Sequence, residues 1–248
     1  MAGNTAVPGT TVASRLLAIL GAFDAGHRSL TLTEIAERAG LARPSTHRLL
    51  AELVAWGALR RDASGRYLVG RRLWDLGLLA PVQTDLGEVA SPFLHDLYAA
   101  TRATVSLAVR EGSQVLYVDR LSGHASVPVI STTGSRLPLH STGVGKVLLA
   151  HAPVDVRRQV LTAPLPRFTP YTITQPARLE GQLKRIRQDG FATTAEEMTL
   201  GACSVAVPIA ADGRVIAALS VTVGDLRRTR AALVTALRVA AQGISRSL

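Results

Sequence analysis

Residues 31–50 read TLTEIAERAGLARPSTHRLL, and this stretch predicts two short helices separated by a tight turn. Thr31 and Glu34 have the spacing of a capping box, in which two residues satisfy each other's backbone N–H groups at a helix start. Gly40 suits the left-handed conformation that commonly ends a helix, and Pro44 suits the first turn of the next one. Two helices joined by a turn that contains glycine form a helix-turn-helix.

The flanking segments extend this pair to a winged helix-turn-helix. Residues 11–25 carry apolar side chains at helical spacing, which predicts a preceding helix before Gly26. The second helix of the pair is expected to run to about Ala55 and to stop at Gly57. Residues 59–69 form two short runs around Asp-Ala-Ser-Gly, a pattern typical of a β-hairpin. This hairpin would be the wing of the domain.

Polar side chains lie on the outward face of the second helix. Successive residues of an α-helix are rotated by about 100° around its axis, so Leu49 and Leu53 are expected to point inward and Arg48 outward. Thr46 falls in the middle of the inward face. The N-terminal half of such a helix enters the major groove of DNA, where arginine can pair with guanine or phosphate. The alternative is a solvated surface helix, and the two-helix context favours DNA. The candidate DNA contacts on the helix and the wing are Arg43, Ser45, Thr46, His47, Arg48, Arg60, Arg61 and Arg66.

Composition excludes several classes of protein. The 248 residues are 47% hydrophobic, which is enough for packed cores and excludes wholesale disorder. No apolar run reaches the roughly 18 residues of a membrane span, so no membrane association is expected. Cys203 is the single cysteine, which excludes an internal disulfide and fits a reducing cytoplasm. The histidine spacing lacks a metal pair and no serine lies in a GxSxG elbow, so neither metal ligands nor catalytic residues are predicted.

The formal charge of +10 favours an anionic partner such as nucleic acid. Residues 1–80 contribute +4 and residues 81–248 contribute +6, so the excess is not concentrated in the helix-turn-helix. The DNA hypothesis therefore depends on where particular arginines stand rather than on the total charge.

The remainder of the chain predicts a second domain, of the α+β class. A helix over residues 85–100 precedes strands at 104–109, 114–119 and 127–131. Further elements are helices near 142–151, 155–161 and 176–188, a hairpin of 206–210 and 215–223, and a last helix from about Arg228. Hairpin-linked strands with helices at the ends predict an antiparallel sheet with helices on one side. The expected organisation is a disordered tail (1–10), a winged helix-turn-helix (11–70), a linker helix (71–84) and the second domain (85–248).

Three segments resemble the IclR family of bacterial transcription regulators. Residues 31–50 with the following GRYLVG resemble its DNA-binding domain, and LPLHSTGVGKVLLA (137–150) and GFATTAEEMTLGACSVAVPI (190–209) resemble two motifs of its effector domain. The resemblance extends in register over about residues 11–246. It implies a GAF-like effector domain that binds a small molecule, dimers formed through the DNA-binding domains and tetramers formed through the effector domains.

The resemblance also implies which residues surround the effector, namely Gly143, Val144, Thr194, Ala202, Ser204, Ser220 and Thr222. Some members have an acidic residue at the position of Thr194 and a cysteine at that of Ser204, so their ligand does not carry over. Ser220 and Thr222 are two residues apart on a predicted strand, which directs both hydroxyls to one face. Hydroxyls and helix N–H groups suit a small carboxylate or a hydroxylated or aromatic acid. No cofactor other than this effector is expected.

The segment before Ala150 has more than one interpretation. Gly143 and Gly145 open a helix whose N–H groups could hold a carboxylate, although the glycines could also serve only a tight turn. Lys146 invites comparison with a phosphate-loop lysine. That motif requires glycine at the position of His140 and Ser or Thr at that of Val147, so nucleotide binding is not expected.

Glu196 and Glu197 could form a catalytic pair, but adjacent side chains diverge on an extended segment, and a structural or interface role is favoured. We therefore expect a cytoplasmic, non-enzymatic regulator that represses or activates a catabolic operon in response to a small organic or aromatic acid. It would bind a pseudo-palindromic operator in double-stranded DNA as a homodimer or homotetramer. The alternative is a winged-helix regulator whose C-terminal domain only oligomerises and binds no ligand.

Overall fold

The computed structural model describes residues 11–24, 26–77, 79, 84–123 and 126–248. The chain divides into an N-terminal unit, residues 1–82, and a C-terminal unit, residues 83–248. The predicted tail and residues 78 and 80–83 of the predicted linker lie outside the described residues. Apolar side chains form a separate core in each unit.

The N-terminal unit contains the predicted winged helix-turn-helix. Its elements are α1 (Val12–Leu20), β1 (Ser29–Leu30), α2 (Leu32–Ala39), α3 (Arg43–Trp56), β2 (Leu59–Arg61), β3 (Tyr67–Val69) and α4 (Arg71–Gly77). The strands pair antiparallel in the order β1-β3-β2. α1 ends at Leu20 rather than near residue 25, and the chain then turns towards β1. β1 was not predicted because two residues are too few to show a strand pattern.

Local capping interactions define the helix-turn-helix as the sequence predicted. The N–H of Glu34 donates to Thr31 Oγ1 over 3.3 Å, and the N–H of Thr31 donates to Glu34 Oε2 over 2.6 Å. Gly40 and Gly57 have φ angles of +65° and +85° at the ends of α2 and α3, a conformation that side chains with a β-carbon disfavour. The largest fully buried side chains beneath these helices are Ile19, Ile35, Leu50 and Leu59.

The C-terminal unit is built on an antiparallel sheet, so the predicted α+β class is confirmed. The elements are α5 (Thr84–Thr101), β4 (Thr104–Glu111), β5 (Gln114–Leu121), β6 (Arg136–Pro138), α6 (Gly143–Ala150), α7 (Val154–Thr162), α8 (Pro176–Asp189), β7 (Ala192–Ala195), β8 (Cys203–Ala211), β9 (Arg214–Val223) and α9 (Arg230–Ser247). The strands pair in the order β6-β5-β4-β9-β8-β7. β4 and β9 therefore form the centre of the sheet.

Helices cover both faces of this sheet, whereas the sequence predicted them on one side. α5 and α9 pack on the face that carries Val105 and Leu107. α6, α7 and α8 pack on the opposite face, which carries Ala108, Ala206 and Ala218. Alanine leaves room for α6 to lie close to the strands. Because alanine is a weaker hydrophobic signal than valine or leucine, the sequence pattern concealed this second layer.

At the edges of the sheet, the strands of the structure differ from the predicted strands. Residues 127–131, predicted as a strand, lie outside regular structure, and β6 occupies the edge beside β5 instead. β7 at the other edge was not predicted, and β8 begins three residues earlier than expected. Edge strands of three or four residues are too short to establish an alternating pattern.

Gly70 follows the wing and lies against the backbone at the end of α3. A β-carbon at Gly70 would stand 2.2 Å from the carbonyl oxygen of Gly57, and backbone atoms cannot move aside as a side-chain tip can. We expect Gly70→Ala to lower the free energy of unfolding by about 1–3 kcal/mol, measured by urea denaturation of the full-length protein. Gly77→Ala is the control, because nothing lies within 4 Å of a β-carbon there. Equal stability of the two variants would contradict this close approach.

Candidate functional site

α3 presents basic and polar side chains to solvent along its N-terminal half. Arg43, His47 and Arg48 are exposed, and Ser45 is half-buried. The helix begins directly after the turn that follows Gly40, with proline in its first turn as predicted. These side chains are therefore free to reach a groove of DNA, which is what a recognition helix requires.

Thr46 does not belong to this exposed set, and its prediction as a DNA contact is wrong. The side chain of Thr46 is fully buried, and its hydroxyl donates to the carbonyl oxygen of Ala42 over 3.1 Å. The helical spacing already placed Thr46 on the inward face, and packing keeps it there.

The three candidate arginines of the wing have different surroundings. Arg60 and Arg61 are exposed, although Arg61 also donates to the carbonyl oxygen of Gly65 over 3.0 Å. Arg66 is half-buried and donates from Nη2 to the carbonyl oxygen of Ser29 over 2.7 Å and to Glu34 Oε2 over 3.0 Å. Its guanidinium therefore fastens the wing to β1 and to the start of α2. This geometry makes Arg66 a positioning residue for the wing rather than a free phosphate contact.

All seven residues predicted to surround an effector line a single cavity in the C-terminal unit, which we call the hydroxyl pocket. Its volume is about 490 Å³, including space open to solvent. The residues that the sequence did not predict come from β4, β5, β6 and the loops that follow β5, β6 and β7: Ser106, Tyr117, Val129, Ile130, Ser131, Leu137, Ser141, Thr142, Met198 and Thr199. These residues were missed because they belong to separate segments of the chain, which meet at the pocket only through tertiary folding.

Strand pairing assembles the floor of the hydroxyl pocket. Ser106 pairs with Ser220, and Ser204 pairs with Thr222 on one side and Thr194 on the other. Directly paired residues point to the same face of a sheet, so their hydroxyls form two adjacent rows. The hydroxyls of Thr194 and Ser204 are 2.7 Å apart and hydrogen-bonded to each other.

The N-terminus of α6 closes the pocket opposite this floor. Thr142 caps the helix by accepting from the N–H of Gly145 over 3.1 Å. A β-carbon at Gly143 would stand 2.5 Å from Ser204 Oγ, and one at Gly145 would stand 2.6 Å from the carbonyl oxygen of Leu139. The two glycines therefore allow the helix start to approach the sheet closely. The N–H groups of Gly143 and Val144 have no acceptor within the helix, because they belong to its first turn.

Tyr117 provides a neutral hydroxyl at the same end of the pocket. Burial raises the pKa of Tyr117 to about 12, and hydrogen bonding to Thr142 and Ser131 opposes this rise. The phenol therefore remains protonated at neutral pH. A protonated phenol can donate a hydrogen bond to a ligand or accept one from it.

A buried ion pair lies directly behind the pocket, and sequence reasoning did not find it. Lys146 is fully buried in α6, and its Nζ donates to Glu197 Oε1 over 2.5 Å and to Gln182 Oε1 over 2.7 Å. Burial lowers the pKa of Lys146, and the charge of Glu197 opposes that effect. The only sequence signal was a lysine inside the otherwise apolar run VGKVLLA, because the partners are 51 residues apart.

The loop of residues 196–202 is held by several further contacts. Thr172 and Thr169 donate to the carbonyl oxygens of Glu197 and Glu196 over 2.7 and 2.6 Å. Glu196 Oε2 accepts from the N–H of Gly201 over 2.8 Å. The Glu196 side chain thus binds the backbone of its own loop, whereas the Glu197 side chain binds Lys146. Both contacts agree with the structural role that the sequence favoured for this pair. The loop they fix contributes Met198, Thr199 and Ala202 to the wall of the pocket.

Within the described ranges, no helix is both long and apolar enough for a membrane crossing. Nor do three His, Cys, Asp or Glu side chains come together there as a metal site would require. Cys203 is partly exposed, because it is the first residue of β8, at the end of the strand.

Replacing Arg48 tests the role of α3. We expect Arg48→Ala to reduce the discrimination between specific and random DNA by about 1–3 kcal/mol, because one arginine–base contact is lost. Fluorescence anisotropy with a labelled duplex from the gene's own upstream region, titrated against random DNA, measures this. The free energy of unfolding should not change, since the side chain is exposed. Arg66→Ala is the comparison, because it should destabilise the wing and weaken both kinds of binding. Unchanged site preference in Arg48→Ala would contradict the assignment.

A double-mutant cycle tests the buried ion pair. Lys146→Met leaves the Glu197 carboxylate buried without its partner, and we expect a loss of about 3–5 kcal/mol in the free energy of unfolding. The double variant Lys146→Met/Glu197→Met should lose less than the two single variants together. Lys184→Met is the matched control, since the exposed Lys184–Glu180 pair spans 3.5 Å on the surface of α8 and contributes about 0–1 kcal/mol. Additive losses in the cycle would disprove the coupling.

Comparison with known proteins agrees with both units. Residues 12–63 match the family described as IclR helix-turn-helix domain, and residues 80–246 match the family described as Bacterial transcriptional regulator IclR C-terminal. The HTH-type transcriptional regulator BhcR of Paracoccus denitrificans is 37% identical over 82% of this chain and 74% of its own length. The glycerol operon regulatory protein of Streptomyces coelicolor is 34% identical over 94% of each chain.

A solved structure extends the likeness to three dimensions. An IclR homologue from Microbacterium hydrocarbonoxydans, crystallised in complex with 4-hydroxybenzoate, is 35% identical and superposes with a TM-score of 0.91 over 96% of this chain and 99% of the homologue. The relatives are named as transcriptional regulators and not as enzymes. The protein is therefore a member of the IclR family of bacterial helix-turn-helix transcriptional regulators.

Proposed function

We propose that this regulator senses a small aromatic hydroxy acid in the hydroxyl pocket and changes its affinity for operator DNA when the acid binds. The observation that carries this proposal is the convergence of all seven predicted effector residues on one cavity. A similar protein binds 4-hydroxybenzoate, which supports an aromatic acid as the ligand class. No other cofactor is part of the proposal.

The chemistry of the lining fits such a ligand. Apolar side chains of Val129, Ile130 and Val144 provide surface for a planar ring, and the hydroxyl rows of the floor provide partners for a phenol. The first-turn N–H groups of α6 and the positive end of its dipole favour a carboxylate.

The DNA-binding part of the proposal follows from the symmetry of such regulators. Two copies of α3 in a homodimer or homotetramer would read two half-sites of a pseudo-palindromic operator, about one helical turn apart or slightly more. The target would be a catabolic operon, repressed or activated in the cytoplasm, and a relative named for an operon supports this expectation. The acid would act by binding one conformation of the C-terminal unit more tightly than another.

Ligand-dependent DNA binding tests the proposal. We expect 4-hydroxybenzoate or a related hydroxy acid to change the Kd for the upstream duplex by about 5- to 150-fold, the range that typical coupling energies give. Fluorescence anisotropy measures the Kd, and thermal shift measures binding of the acid itself.

Matched valine variants make this test specific to the pocket. Thr222→Val removes a floor hydroxyl without changing the shape of the side chain, and it should weaken the response while the affinity of the unliganded protein for DNA remains. Thr235→Val, on the exposed surface of α9, should behave as the wild type. DNA binding that no acid alters, together with no thermal stabilisation by any acid, would favour a C-terminal unit that only oligomerises.

A further inference from the structure

Arg120 lies on the face of the sheet that forms the floor of the hydroxyl pocket. In the pairing of β4 with β5, Arg120 stands directly opposite Ser106, whose side chain lines the pocket. Ser106 is in turn paired with Ser220, also in the lining. Because directly paired residues share a face, Arg120 extends the row of Ser106 and Ser220 by one strand.

An irregularity in β5 brings Tyr117 to this face as well. The register of β4 with β5 shifts between Leu107 and Ala108, so that Asp119 pairs with Leu107 and Tyr117 with Ala108. A bulge of this kind adds one residue to a strand and changes the face on which the following residues lie. Arg120 and Tyr117 therefore flank the bulge on the pocket side. The charge of Arg120 acts on the Tyr117 hydroxyl and opposes the rise in its pKa.

The guanidinium of Arg120 lacks a partner among the residues that the structure describes. Its Nε is buried and makes no hydrogen bond, and the side chain takes part in none of the ion pairs of this part of the chain. Asp119, its neighbour, accepts only from the backbone N–H of Arg120, over 2.7 Å. Thr104 Oγ1, which lies in the adjacent hydroxyl row, is also buried without a partner. Among the described residues, the half-buried Arg120 with its unpaired Nε and the unpaired hydroxyl of Thr104 thus share one face of the sheet. These are features of a site for an anionic, hydrogen-bonding molecule.

Among the residues that the structure describes, none in the lining of the hydroxyl pocket carries an ionised side chain at neutral pH. Its polar lining consists of hydroxyls, and the Lys146–Glu197 pair behind it is neutral as a unit. Arg120 stands beside two lining residues rather than in the lining. Its charge therefore acts on the pocket across Ser106 and Tyr117, from a half-buried side chain whose Nε is shielded from water.

We propose that Arg120 is the residue that makes this pocket select an anionic effector over a neutral one of the same shape. The inference rests on the proposed function, since it takes the hydroxyl pocket as the effector site. Tyr117, on which the charge of Arg120 acts, lines the pocket together with the capping residue Thr142 at the N-terminus of α6. The carboxylate of the effector thus lies at the end of the pocket shared by Arg120, Tyr117 and α6.

Paired ligands that differ only in charge test this inference. Isothermal titration calorimetry of the full-length protein at neutral pH compares 4-hydroxybenzoate with 4-hydroxybenzamide, in the wild type and in Arg120→Gln. We expect the variant to bind the acid about ten- to a hundredfold more weakly, because a charge-assisted interaction is lost. Its affinity for the amide should stay within about twofold. Arg120→Lys should keep most of the preference for the acid.

Arg110→Gln is the matched control, because it removes the same charge from β4, where Arg110 is hydrogen-bonded to Gly112 at the far end of the strand. This variant should bind both ligands as the wild type does. Equal weakening of acid and amide in Arg120→Gln would show a structural role and overturn the inference, and so would an unchanged preference. A wild type that binds DNA but neither ligand would overturn the proposed effector class, and the assignment of Arg120 with it.

Discussion

The C-terminal unit depends on the buried ion pair between Lys146 and Glu197. Both charges are removed from water, which is costly unless each is paired closely and hydrogen-bonded. Lys146 Nζ reaches Glu197 only when α6 and the loop of residues 196–202 keep a fixed distance from each other. Gln182 accepts a further hydrogen bond from the same amine. Both segments also contribute residues to the lining of the hydroxyl pocket. The Lys146–Glu197 pair therefore helps to fix the shape of the pocket, although neither residue lines it.

The pocket combines this constraint with the register of the sheet. Pairing across β4, β9, β8 and β7 aligns hydroxyl side chains in rows, and alanine beside them leaves space for the start of α6. Gly143 and Gly145 permit the approach, since a β-carbon at either position would collide with the sheet or the preceding loop. The result is a polar, uncharged cavity at the start of a helix, and an unpaired arginine stands beside it. Such a site can respond to the charge of its ligand although the described lining carries no charge at neutral pH.

The N-terminal unit relies on contacts of shorter range. The capping box of Thr31 and Glu34 sets the start of α2, and Glu34 also accepts from Arg66 of the wing. One carboxylate thus serves both the helix-turn-helix and the wing. Arg66, which was predicted to contact DNA, therefore binds Glu34 within the domain. It leaves Arg43, Arg48, Arg60 and Arg61 as the exposed basic side chains of the candidate interface.

The sequence by itself determined the winged helix-turn-helix and the order of most elements, and its resemblance to the IclR family implied seven residues that line the pocket. These features depend on capping, on side-chain periodicity and on short motifs, all of which act between residues close in the chain. The tertiary structure alone decided the second helical layer, the edge strands β6 and β7 and the internal bonds of Arg66. It also decided the pairing of Lys146 with Glu197 and the position of Arg120 beside Ser106. These depend on contacts between distant residues, whose partners no local pattern specifies.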